Sequence, residues 1–137
     1  VLINTAREAI RYADEVGSPN IGIHLDTFHM NLEENSLGDA IRLVGGRLRH
    51  FHTGDNNRNV PGRGHIDFDE VFRALADIHY TRDIVSEPFL LMGNEVGYDI
   101  RVWRNLLEVP SEAALDEAAL ELLHFTQGML RKYPTGT

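Results

Sequence analysis

Residues 22–31 read GIHLDTFHMN: Gly22-Ile23-His24-Leu25-Asp26-Thr27-Phe28-His29-Met30-Asn31. Ile21, Ile23 and Leu25 alternate with Gly22, His24 and Asp26. That period of two predicts a strand over residues 21–26 with one apolar and one polar face. Asp26 closes the strand, and His29 is expected in the loop beyond it. The same ending recurs twice. Residues 48–54, LRHFHTG, close on His52, and residues 83–88, DIVSEP, close on Glu87. A helical pattern follows each strand, which predicts a parallel sheet with right-handed crossovers. In a parallel α/β barrel the chemistry gathers at the C-terminal strand ends. Asp, His and Glu on neighbouring strand ends are donors that a divalent cation takes.

The chain has 137 residues, enough for one domain with a core. A complete eight-stranded barrel needs about 250. The fold expected is therefore α/β, the C-terminal part of a (β/α)8 barrel, with about three βα units plus terminal helices. Residues 1–137 are read as one portion of a single domain whose N-terminal half is missing; a small self-sufficient α/β domain is the alternative. Three strands cannot close a barrel. The chain is expected to form a homo-oligomer or to need the missing half.

The formal charge is −8, from 21 acidic and 13 basic residues. Twelve of the bases are arginines, and they are scattered. That argues against nucleic acid, whose phosphates require clustered cations. The absence of cysteine removes disulfides, thiolate metal sites and thiol nucleophiles. No apolar run approaches the roughly 18 residues of a membrane span, so no membrane partner and a cytoplasmic location are expected.

Helices are predicted over residues 4–16, 36–44, from Asp67 onward, 99–107 and 111–131. Asn4 or Thr5, Ser36 and Asp67 supply the capping chemistry. Phe68, Val71, Phe72, Leu75 and Ile78 form one apolar stripe, and Leu115, Ala118, Ala119, Leu122, Leu123 and Phe125 another. Residues 54–65, GDNNRNVPGRGH, form a long polar loop after the second strand. A loop of that length at a C-terminal strand end is often functional.

LDTFHMN, HFHTGDNNRNVPGRG, SEPF and GNEVGYDIRVWRNL resemble the D-tagatose 3-epimerase and D-psicose (allulose) 3-epimerase family, enzymes of xylose isomerase-like TIM barrel fold. The resemblance covers nearly the whole chain. It implies C3 epimerisation of a small ketose and a Mn²⁺, Co²⁺ or Mg²⁺ cofactor. Asp26, His52 and Glu87 match three of the family's four metal ligands; the fourth, a glutamate, has no match here. Glu87 also matches a catalytic carboxylate. His29 and Arg58 match substrate-contacting residues, and Phe89 matches an aromatic that packs against the sugar. The three ligand atoms are expected to converge, with Arg58 folded back over the mouth of the site.

The remaining candidates have plainer readings. Asn56, Asn57 and Asn59 suit turns. His24 and His50 are read as packing on the barrel interior, and His65 as solvated. His79 and His124 are placed on helices. Trp103 is read as packed in a helical stripe with Ile100 and Leu107. The loop ending GHIDF, residues 64–68, is similar to the wider superfamily. It keeps open an isomerase acting on another hydroxy-carbonyl compound, of hydroxypyruvate or inosose type. An inactive fragment or assembly module is the reading from a different class.

Overall fold

The computed structural model describes residues 2–93 and 95–136. Its elements are α1 (Ala6–Val16), β1 (Ile23–Asp26), α2 (Thr27–Glu33), α3 (Leu37–Val44), β2 (Leu48–Thr53), α4 (Phe68–Asp77), β3 (Ile84–Ser86), α5 (Glu95–Asp99) and α6 (Glu112–Lys132). The strands form one parallel sheet in the order β1-β2-β3. A single turn of 3₁₀ helix, Gly45–Arg47, joins α3 to β2.

Local chemistry sets the helix starts. Thr5 and Glu8 form a capping box at α1. Ser36, Asp67 and Ser111 each accept a backbone N–H three residues on, at α3, α4 and α6. Each such cap satisfies an amide that the first turn would otherwise leave unpaired. The helices then lay apolar stripes on one face of the sheet. Ile23, Leu25, Leu48 and Phe51 pack there with Ile41, Val44, Val71, Phe72 and Leu75, all buried. The stripe of α6 is only partly used: Ala118 is buried, but Leu115 and Leu123 are exposed.

The opposite face of the sheet is polar, and an irregularity of register makes it so. Ile23 pairs with Leu48, yet His24 pairs with His50, so Arg49 is an extra residue in β2. A strict alternation would put Leu48 and His50 on one face. The bulge reverses the parity. Leu48 stays with the core, while His50 and His52 join His24 and Asp26 on the other face. Arg49 lies across Gly22, where an added Cβ would sit 1.9 Å from its Cγ.

Five expectations are corrected. His29 lies on α2 rather than in a loop, because Asp26 both ends β1 and caps the next helix. The first strand begins at Ile23, with Ile21 exposed outside it. The helix expected over residues 99–107 is instead the short α5, followed by turns from Ile100 to Pro110. Trp103 consequently packs in no helical stripe and is 69% exposed. His79 lies just past α4 with a positive φ of 53°, so it turns the chain there instead of extending the helix.

Candidate metal centre

Parallel pairing sets the three strand ends side by side. Asp26 is opposite His52, and His52 is opposite Val85, two residues before Glu87. The Glu87 N–H continues the ladder by donating to the Thr53 carbonyl at 3.2 Å. Asp26 Oδ1 accepts from Phe28 N at 2.8 Å as the cap of α2. That bond orients the carboxylate and leaves Oδ2 3.9 Å from His52 Nδ1. On the other side Glu87 Oε2 is 3.4 Å from the same Nδ1. One donor atom from each residue lies within 4.8 Å of the other two.

The 3.4 and 3.9 Å separations lie in the range that a divalent ion sets between its donors. Donors held about 2.1 Å from one centre stand roughly 3 to 4.2 Å apart, from adjacent to nearly opposite positions. Two carboxylates and one imidazole are a hard-to-borderline set, suited to Mg²⁺, Mn²⁺ or Co²⁺. Asp26 and His52 are largely shielded, whereas Glu87 is about half exposed.

Arg58 reaches the centre through the long loop. Its N–H donates to the Asp55 carbonyl, and its carbonyl accepts from Phe89 N at 2.8 Å. These bonds hold it at a φ of 66°, a region that non-glycine residues seldom adopt. The guanidinium lies 3.6 Å over the Phe28 ring and 5.3 Å from that of Phe89. Burial pulls its pKa down, opposed by the nearby charges of Asp26 and Glu87. Nε is buried without a hydrogen-bond partner among the described residues.

Asp55 organises this loop. Its carboxylate is fully buried. It accepts from the N–H groups of Asn56, Gly62, Gly64 and Ile66 at 2.8–3.3 Å. Gly64 permits the approach, since a Cβ there would lie 2.1 Å from Asp55 Oδ1.

Two cavities flank the centre. One of about 180 Å³ is lined by His24, Asp26 and His29 among others. The other, of about 320 Å³, is lined by Phe28, Asn56, Arg58, Trp103 and Leu106 among others, and by none of Asp26, His52 and Glu87. The structure thus brings the three donor residues together and stacks Arg58 against Phe28 beside Phe89. It leaves His29 on a separate cavity that shares Asp26.

Comparison with known proteins agrees with this architecture. The profile of the xylose isomerase-like TIM barrel matches residues 1–106. The chain belongs to that family. D-psicose 3-epimerase of Agrobacterium fabrum is 46% identical over 129 residues, 94% of this chain and 45% of the relative. That of Ruminiclostridium cellulolyticum is 48% identical over 129 residues, 94% of this chain and 44% of the relative. A crystal structure of D-psicose 3-epimerase with D-tagatose from Clostridium cellulolyticum H10 superposes with a TM-score of 0.90 at 48% identity. It covers 93% of this chain and 44% of that one. The chain therefore spans less than half the length of these relatives.

In the xylose isomerase-like TIM barrel fold the polar face of such a sheet corresponds to the barrel interior, and the three donors stand at the C-terminal ends of their strands. Sequence reading missed Phe28 and Asp55 there. Phe28 sits inside the quoted LDTFHMN, where a ring beside a capping Asp gave no sign of a cation above it. Asp55 opens a run of turn-forming residues, and composition carries no trace of its burial. His50 shares the polar face with His52, and its Nε2 lies 2.9 Å from His52 Nε2. His24 is exposed, and its ring sits edge-on to those of both His50 and His52.

Proposed function

We propose that the barrel containing this segment is a divalent-metal-dependent ketose 3-epimerase, acting on a sugar of D-tagatose or D-psicose type. The convergence of Asp26, His52 and Glu87 on adjacent parallel strand ends carries the reading. Near-half identity to D-psicose 3-epimerases across the segment supports it. Asp26 Oδ2, His52 Nδ1 and Glu87 Oε2 would hold Mn²⁺, Co²⁺ or Mg²⁺. When bound, such an ion supplies Lewis acidity that draws electron density from the ketose carbonyl.

The chain's own groups do the rest. Epimerisation at C3 removes a proton next to the C2 carbonyl and returns one to the opposite face. The electron pair of the broken C–H bond moves onto the carbonyl oxygen and comes back when the new C–H bond forms. Glu87 is the proton-transfer carboxylate of this segment. The proposal assigns the opposite face to a carboxylate on another strand of the barrel. Arg58 offers a charged donor to the oxygen that gains negative charge, and its stacking on Phe28 fixes it before substrate arrives. His29 hydrogen-bonds a sugar oxygen, and Phe89 packs against the sugar.

The test is exchange in D₂O. The complete barrel, loaded with Mn²⁺, should place deuterium at C3 of D-fructose or D-psicose while interconverting them. Chelation should abolish exchange and added Mn²⁺ restore it. E87Q should lower turnover at least 10²-fold. A metal-loaded barrel that exchanges no proton at C3 of any ketose overturns the reading.

A further inference from the structure

His52 has two ring nitrogens, and they face different partners. Nδ1 points to Asp26 and Glu87, at 3.9 and 3.4 Å. Nε2 points away from them, to His50 Nε2 at 2.9 Å. An imidazole that gives the Nδ1 lone pair to a cation must carry its proton on Nε2. That proton then needs an acceptor. If His50 donated instead, the hydrogen of a neutral His52 would be on Nδ1, and no lone pair would face the carboxylates.

We propose that His50 is a positioning residue of the metal centre: its Nε2 accepts the Nε2–H of His52, which fixes the ring and aims the Nδ1 lone pair at the ion. The proposal rests on the metal centre proposed above, but not on the sugar assigned to it. The fold serves this contact. Residues 50 and 52 share a face as alternate positions of β2. The extra residue Arg49 turns that face away from the core and toward Asp26. The edge-on ring of His24, 4.2 Å from that of His52, limits rotation on the remaining side. His50 is half-buried and stands outside the triad of donors, so it acts through His52.

Mn²⁺ affinity of the complete barrel, measured by titration calorimetry without sugar, tests this. H50A should bind Mn²⁺ about 10–100-fold more weakly. H50Q, whose Oε1 can accept the same hydrogen, should return to within a few-fold of the parent. Wild-type affinity in H50A, or no recovery in H50Q, overturns the proposal. A parent barrel that binds no Mn²⁺ overturns the metal centre and this role together. Metal binding with the expected variant pattern but no epimerisation leaves His50 in place and removes only the assigned activity. A second measurement needs no variant. Long-range ¹⁵N–¹H spectra of the Mg²⁺-loaded parent should show His52 as the Nε2–H tautomer and His50 as Nδ1–H. Nε2–H on His50 overturns the proposal even if H50A fails to fold.

Discussion

Arg58 is held in a backbone conformation that few side chains accept, with two hydrogen bonds fixing the peptide and two rings flanking the guanidinium. Strain of this kind persists only where the surroundings determine it. R58A should lower kcat of the complete barrel by about 10²–10³, the loss usual for one charge-stabilising donor. R58K should recover little, because an ammonium lacks the planar face that lies on Phe28. Steady-state kinetics on a ketose substrate measure both. His24 gives a pH prediction. Its ring keeps contact with solvent, but partial desolvation, then the neighbouring His52 and His50, lower its pKa. The unfolded chain therefore takes up a proton here more readily than the folded one. Stability is fully present above the ordinary imidazole range, near 6.5, and falls as the pH drops through it. Melting temperatures at pH 7.5 and 5.5 should differ less in H24N than in the parent. At this scale Asp26, His52 and Glu87 were legible because strand endings repeat in the sequence. His50 was legible as sharing the interior face with His52 but not as touching its ring, since the period of a strand gives a face and no side-chain contact.

The loop between β2 and α4 is tied by one buried carboxylate, while Val60 anchors it apolarly against Leu90 and Ala118. D55N leaves four backbone donors sharing a single neutral carbonyl oxygen and an NH₂ group that accepts nothing. Charged acceptors make the stronger bonds, and a buried donor left unpaired costs about 1–3 kcal/mol. Urea unfolding should report a loss of that size. Limited proteolysis should find new cleavage between residues 56 and 66. The capped helices α1, α3, α4 and α6 were legible, because their caps and apolar stripes coincide. α2 was missed for the opposite reason: its cap is also a strand end, so no turn sequence announces it. Residues 99–107 read as helical through Ile100, Trp103 and Leu107, yet Leu106 N–H instead donates to the Leu90 carbonyl. That long-range bond cannot be seen in a local period.

Three strands leave two open edges, β1 and β3, and the polar inner face is uncovered among the described residues. The outer helices also expose Tyr12, Val16, Leu120 and Leu123. Unpaired edges and apolar patches promote association. The isolated 137-residue chain, 15.5 kDa by composition, should sediment as a concentration-dependent mixture larger than a monomer. A stable monomer at all concentrations would contradict that expectation. At this scale the parallel order was legible from the alternation of strand and helix patterns. The placement of the three donors has a consequence in time. They enter at positions 26, 52 and 87, each on its own strand, so synthesis delivers them one by one. At about 5–20 residues per second, several seconds separate the first from the last. Neither of the earlier donors alone makes a site. On the proposed metal centre, ion capture would wait for the third strand to dock, and a nascent chain stalled before residue 87 should leave Mn²⁺ in solution.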